Sequence, residues 1–267
     1  LVLFDNKLSL TADYFYEKRT GIYMERKFLP SSTGIVFWDR GKNYGNWNYP
    51  KANVGAVRSR GFDGNFKYEQ RLGQVGVTVR GNITYSKNEI LEYDEENNVY
   101  AYQNQKGYRV DQVRGLIALG LFKDYEDIRN SPTQQFGTVQ PGDIKYKDVN
   151  GDGVVNDGDA VAIGATSKPN LIYGLGMSVQ WKGFDFNLHF QGAGKSTFLI
   201  YGKCVYAFSE EQWGNIFKGM LDNRWISSEI SGSAATENPN ASYPRLSYGA
   251  NSNNYRASTF WLRGGRY

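Results

Sequence analysis

Apolar and polar residues alternate with a period of two in five stretches of this chain, the spacing of a strand with two different faces. From Lys7 to Glu17 one face carries Leu8, Leu10, Ala12, Tyr14 and Tyr16. The other carries Lys7, Ser9, Thr11, Asp13 and Glu17, with Phe15 the one apolar intruder. From Gly61 to Glu69, Phe62, Gly64, Phe66 and Tyr68 oppose Asp63, Asn65, Lys67 and Glu69. From Val75 to Ser86, Val75, Val77, Val79, Gly81, Ile83 and Tyr85 oppose Thr78, Arg80, Asn82, Thr84 and Ser86. From Tyr173 to Trp181, Tyr173, Leu175, Met177, Val179 and Trp181 oppose Gly174, Gly176, Ser178 and Gln180. From Phe184 to Gln191, Phe184, Phe186, Leu188 and Phe190 oppose Asp185, Asn187, His189 and Gln191.

Strands of roughly 8 to 12 residues are long enough to cross a bilayer when tilted. A soluble sandwich alternates in the same way, so the connections carry more weight. Asp5-Asn6, Arg71 to Gln74 and Lys182-Gly183 read as tight hairpin turns. The connections at about 26–57, 88–171 and 194–258 are long. Short and long connections therefore alternate, as in an outer-membrane barrel with short periplasmic turns and long extracellular loops. On that reading the strands at Lys7, Val75 and Phe184 run outward. Those at Gly61 and Tyr173, and one from Thr259 onward, run inward. Trp181 and Phe184, and Tyr14 and Tyr16, fall where interfacial aromatics belong. The expected fold is all-β: residues 1–267 are part of one transmembrane antiparallel β-barrel, incomplete at both ends. Residues 88–171 and 194–258 form extracellular loops. Within the second, Ser209-Glu210-Glu211 before Trp213, Ile216, Phe217, Met220 and Leu221 predicts a short capped helix. Lys123 to Asn130 predicts a helical turn.

Composition agrees with this. The chain has 20 Tyr, 15 Phe and 31 Gly, yet its mean hydropathy is −0.57, because a barrel wall is apolar only at every second residue. No apolar run approaches the ~20 residues of a membrane-spanning helix. The net charge of +4 comes from 31 basic and 27 acidic residues. The basic residues are dispersed, which gives no nucleic-acid footprint. Cys204 is the only cysteine, so there is no disulfide framework.

The most specific chemical motif is Asp148-Val149-Asn150-Gly151-Asp152-Gly153-Val154-Val155-Asn156-Asp157-Gly158-Asp159. Oxygen-bearing side chains at Asp148, Asn150, Asp152, Asn156 and Asp159, with the Val154 carbonyl, have the spacing of an EF-hand-type loop. Gly153 stands where that loop turns sharply. The expected ion is calcium, or magnesium, in a structural role. Asp159 replaces the usual Glu and is shorter, and a metal-free loop rich in Asx turns has the same composition. No catalytic residues are expected. His189 is the only histidine, lies on a polar strand face, and supports no Ser-His-Asp set. Asp94-Glu95-Glu96 and Glu210-Glu211 sit in loops. Gly192-Ala193-Gly194-Lys195-Ser196 lacks the first glycine of a phosphate loop, where His189 stands. Phe37, Trp38, Tyr44, Trp47 and Tyr49 could contact a sugar or a partner, or simply pack the loop. No substrate-binding residue can be named.

Pro141-Gly142-Asp143-Ile144-Lys145-Tyr146-Lys147-Asp148, then Gly153, Asp159, Ile163-Gly164, Pro169 and Tyr173-Gly174, resembles the C-terminal half of SusC/RagA-type TonB-dependent transporters of Bacteroidetes. Lys182-Gly183-Phe184-Asp185 with Phe190-Gln191-Gly192, Asp13-Tyr14-Phe15-Tyr16 with Thr20-Gly21, and Thr259-Phe260-Trp261-Leu262-Arg263 are similar to that family too. The resemblance implies a 22-stranded barrel in the bacterial outer membrane, crossing it many times and embedded in its lipid. It implies a SusD-like surface lipoprotein as partner. It also implies import of oligosaccharides or peptides, driven by a TonB complex through segments outside these residues. A transporter, not an enzyme, is expected. Two alternatives remain open: a secreted calcium-dependent dockerin-like module, and a soluble carbohydrate-binding or glycosidase β domain. A dockerin requires a second calcium loop and a helix after each loop.

Overall fold

The computed structural model describes residues 1–26, 50–96, 98–203, 205–209, 214–227, 231–233 and 237–265. They form two compact units. One comprises Leu1–Gln112, Thr166–Ser196 and Gly265–Tyr267, the other Val113–Ala165 and Thr197–Gly264.

The first unit is a single antiparallel sheet. It contains β1 (Val2–Leu3), β2 (Leu8–Glu25), β3 (Lys51–Leu72) and β4 (Val75–Glu92), followed after a long connection by β11 (Leu171–Trp181) and β12 (Phe184–Gly194). The spatial order is β1-β2-β3-β4-β11-β12. The turns are tighter than the alternation alone indicates. Arg71 and Leu72 pair with Gly76 and Val75, leaving only Gly73-Gln74 to reverse the chain, with Gly73 at φ +61°. Lys182 and Gly183 both have positive φ, the two-residue turn whose twist matches its flanking strands.

The register sorts side chains by polarity across the whole sheet. Leu8, Tyr68, Val79, Met177 and Leu188 lie in one row across β2, β3, β4, β11 and β12. Leu10, Phe66, Gly81, Leu175 and Phe190 form the next same-face row, and Tyr14, Phe62, Tyr85 and Leu171 lie further along. Towards the hairpins come Val77, Val179 and Phe186, then Leu72, Val75, Trp181 and Phe184. The opposite face carries Thr11, Asn65, Asn82, Gly174 and Gln191 in one row, and Glu69, Thr78, Ser178 and Asn187 in another. A one-residue slip between any two strands would mix the faces. Phe66 lies over Gly81, where a methyl group would come within 2.4 Å of its ring. Phe15, the apolar residue on the polar face, lies over Gly61 in the same way, at 2.5 Å.

The apolar face is not covered: Phe186, Leu188 and Phe190 are 58%, 40% and 61% exposed. Val77 and Val79 are half-buried. The belt runs from the Leu72 row to the Phe62 row, about 33 Å along the strand at ~3.3 Å per residue. At the usual barrel tilt this is about 25 Å across, the height of a lipid-facing band. β2, β3 and β4 continue past it, with 18, 22 and 18 residues. There the same face changes character: Tyr16, Arg60 and Lys87 share a row, then Lys18, Arg58 and Glu89, and Arg58 bonds Glu89 at 2.6 Å.

The second unit is built from short pieces. Among the described residues it includes β6 (Ala118–Leu121) paired with β8 (Ile144–Tyr146), and β7 (Thr133–Gln134) paired in parallel with β9 (Val154–Val155). A four-stranded sheet has the order β14 (Leu262–Gly265), β13 (Ser196–Leu199), β10 (Val161–Thr166), β5 (Gln112–Gly115). The strand expected from Thr259 onward thus begins at Leu262 and pairs in this smaller sheet. The helical turn expected near Lys123 is α1 (Tyr125–Arg129), with the Asp124 side chain accepting from the Asp127 amide. The second helix differs from expectation. α2 spans only Lys218–Asp222 and has no side-chain cap. The Phe208 amide bonds the Asn215 carbonyl, and Ser209 does not cap this helix, which begins after Phe217. Glu210, Glu211 and Trp213 lie outside the described residues, as does Cys204.

The face assignment predicts the outcome of paired substitutions in the full-length protein refolded into lipid vesicles. Leu188→Arg should lower stability by about 2–4 kcal/mol near the midplane, whereas Asn187→Arg on the polar face should be nearly silent. Urea titration of the membrane-inserted protein measures both, and equal losses would contradict the assignment.

Candidate functional site

Three regions hold the residues singled out above: the polar face of the sheet, the Asp148–Asp159 loop, and the interior of the second unit. At its loop end the polar face has a pocket of about 370 Å³ lined in part by Glu17, Arg19, Ile22, Met24, Val57 and Ile90. Bulges interrupt the β2–β3 register between Arg19 and Ile22, and the β3–β4 register between Ala56 and Val57. A bulge re-aims side chains, which is how apolar groups come to line a pocket beside the Arg19–Glu17 ion pair (3.0 Å). His189 is exposed on this polar face. Phe37, Trp38, Tyr44, Trp47 and Tyr49 lie outside the described residues.

The Asp148–Asp159 loop is closed by its own amides. Gly151 and Gly153 donate to the two Asp148 oxygens at 2.7 and 2.8 Å. Asp152 accepts from the Val154 amide and the Asn150 side chain, both at 2.8 Å. Asn156 accepts from Gly158 at 2.6 Å. Asp159, fully buried, accepts from Val149 and Asn156, both at 2.8 Å. Val154 belongs to β9. Among the described residues, no three His, Cys, Asp or Glu side chains converge to hold a metal ion. The loop folds as a run of side-chain-to-backbone turns. A calcium ion on Asp148, Asn150, Asp152, Val154, Asn156 and Asp159 stays a proposal carried by spacing alone. The chain next enters strand β10 rather than the helix a dockerin requires.

The loop is tied to a buried polar hub that sequence reasoning missed. The fully buried Asp143 carboxylate accepts from the Gln140 amide (2.8 Å) and from the Asn251 and Asn254 side chains (3.0 and 2.9 Å), and pairs with Arg245 (2.8 Å). Asn254 also accepts from the Ile144 amide, and its carbonyl accepts from the Trp261 indole. Buried Gln134 donates to the Ile144 carbonyl and accepts from the Tyr146 amide. The Tyr146 hydroxyl donates to the Asn253 carbonyl, and burial raises its pKa. Around this lie Leu116, Ile144, Tyr146, Val155, Met220 and Trp261. At the edge, Lys145 donates to Asp127 at 2.8 Å and lowers that carboxyl's pKa. The run Asn251-Ser252-Asn253-Asn254 reads as a turn in sequence. Only the fold shows that its amides serve Asp143.

No protein-family profile matches the chain. It is 24% identical over 210 residues to TonB-dependent receptor P26 of Formosa agariphila, covering 71% of this chain and 19% of that receptor. It is 22% identical over 214 residues to TonB-dependent receptor P3 of the same organism, covering 75% and 20%. The chain thus spans about a fifth of the length of these relatives. Solved structures of the RagAB peptide transporter, and of the RagAB peptide importer in an open-open state, each superpose with a TM-score of 0.64 at 17% and 16% identity. They cover 98% of this chain and 26% and 25% of theirs. The fold is that of a RagA-type transporter barrel. The resemblance read from the sequence is borne out by both comparisons.

Two outcomes are expected. Asp143→Ala leaves Arg245, Asn251 and Asn254 without their shared acceptor, and should cost about 3–5 kcal/mol. Limited proteolysis of the full-length protein should then cut within residues 113–165 much faster, and unchanged cleavage would contradict the hub. If calcium sits on Asp148, Asn150, Asp152, Asn156 and Asp159, chelator should speed cleavage near Gly151, and equal cleavage with calcium and with chelator would contradict that ion. Chelator-dependent cleavage would show a bound ion.

Proposed function

We propose that the chain is part of the wall and external loops of an outer-membrane, TonB-dependent importer. The observation that carries this is the register that places an uncovered apolar belt of about 25 Å opposite a polar face. The short turns lie on the periplasmic side and the long connections reach the cell exterior, so the second unit belongs to the extracellular surface. A SusD-like lipoprotein is the proposed partner over these loops. Peptides or oligosaccharides are the proposed cargo, moved without catalytic chemistry and powered through a TonB complex. The likeness to TonB-dependent receptors supports the energy source, and the RagAB fold supports the barrel.

The test uses cells carrying the full-length gene. Uptake of labelled peptide and oligosaccharide pools should require both this gene and an intact TonB complex, and the protein should fractionate with the outer membrane. A full-length protein that is monodisperse without detergent, or uptake indifferent to TonB, would contradict the reading.

A further inference from the structure

One row of the polar face carries positive charge that the wall does not compensate. Ser9, Lys67, Arg80, Gly176 and His189 are consecutive cross-strand neighbours. Lys67 and Arg80 stand directly opposite each other, and like charges so placed destabilise a sheet. Lys67 is held by Glu69 at 2.7 Å. The side chains of Arg80, His189 and Asn82 have no ion-pair or hydrogen-bond partner among the described residues. The sheet's own stability therefore gives no reason for Arg80 at this position.

The strand between these groups supplies the space they share. Gly174 and Gly176 are buried. A methyl group at Gly176 would lie 2.9 Å from Arg80 Nε and 3.2 Å from His189 Nδ1. One at Gly174 would lie 2.5 Å from Asn82 Oδ1 and 3.5 Å from His189 Cε1. A guanidinium and an amide from β4 and an imidazole from β12 thus converge over a floor with no side chains. Arginine's planar fork matches a carboxylate with two parallel hydrogen bonds. A lumen with low-dielectric walls focuses the field of such a group.

We propose that Arg80, His189 and Asn82, over the Gly174–Gly176 floor, form a carboxylate-binding station on the inner wall. The carboxylate comes either from cargo in the lumen or from an acidic side chain elsewhere in the full-length protein. The station rests on the transporter reading, since it needs this face to line a lumen.

The test uses full-length protein in detergent, with trialanine and trialanine amide as probes. With cargo as the source, the wild type binds the free acid at least tenfold more tightly than the amide. Arg80→Gln and His189→Gln each reduce that preference. Gly176→Ala does the same with both basic groups retained, because the added methyl fills the floor. With an internal carboxylate as the source, these variants leave peptide binding alone but lower the melting temperature by several degrees, and high salt shrinks the difference. Arg80→Gln that changes neither the preference nor the melting temperature overturns the station. Failure of the transporter reading looks different: the wild type stays soluble once detergent is removed.

Discussion

Fixed strand register is the constraint on which the rest of this structure depends. Side chains on a strand alternate with a period of two, so each pair of strands has only two possible sortings of its faces. Here β2, β3, β4, β11 and β12 all take the same one, over a belt that begins at the Leu72 row and ends near Tyr14, Phe62 and Tyr85. Two-residue turns at Gly73-Gln74 and Lys182-Gly183 lock two of the pairings. Such a belt, left uncovered, is a liability in water. Within a bilayer it is what holds the sheet in place, because exposing it to water would cost far more than lipid contact does.

The polar face gains its meaning from the same constraint. Once one face belongs to lipid, the other must line the interior. Groups such as Arg80, Asn82 and His189 then stand where a moving solute or another part of the protein can meet them. The long connections are free of the membrane requirement and fold by other means. In the second unit, where strands are only two to six residues long, a buried carboxylate does much of the organising. Asp143 gathers Arg245, Asn251, Asn254 and the Gln140 amide into one network, so segments distant in sequence fold together. A buried charge is tolerable there only because its partners satisfy it.

Much of the wall was legible from sequence because alternation is a local signal. Five strands, the three tight turns and the helical turn at α1 follow from neighbouring residues. What escaped reading was non-local. The strands run beyond the belt, as far as Glu25, Lys51 and Glu92, because cross-strand pairing continues where polarity alternation fades. The role of Asn251 and Asn254 was not readable, because their partner Asp143 lies over a hundred residues away. The second helix is shorter than its apolar period indicates, beginning only at Lys218.

The most direct measurement is a spin-label scan of residues 184–191 in the full-length protein in lipid bilayers. The account predicts that labels at Phe184, Phe186, Leu188 and Phe190 are reached by oxygen from the lipid. Labels at Asp185, Asn187, His189 and Gln191 should instead be reached by a water-soluble relaxation agent, in strict alternation. Absence of alternation, or water access at both sets, would contradict it.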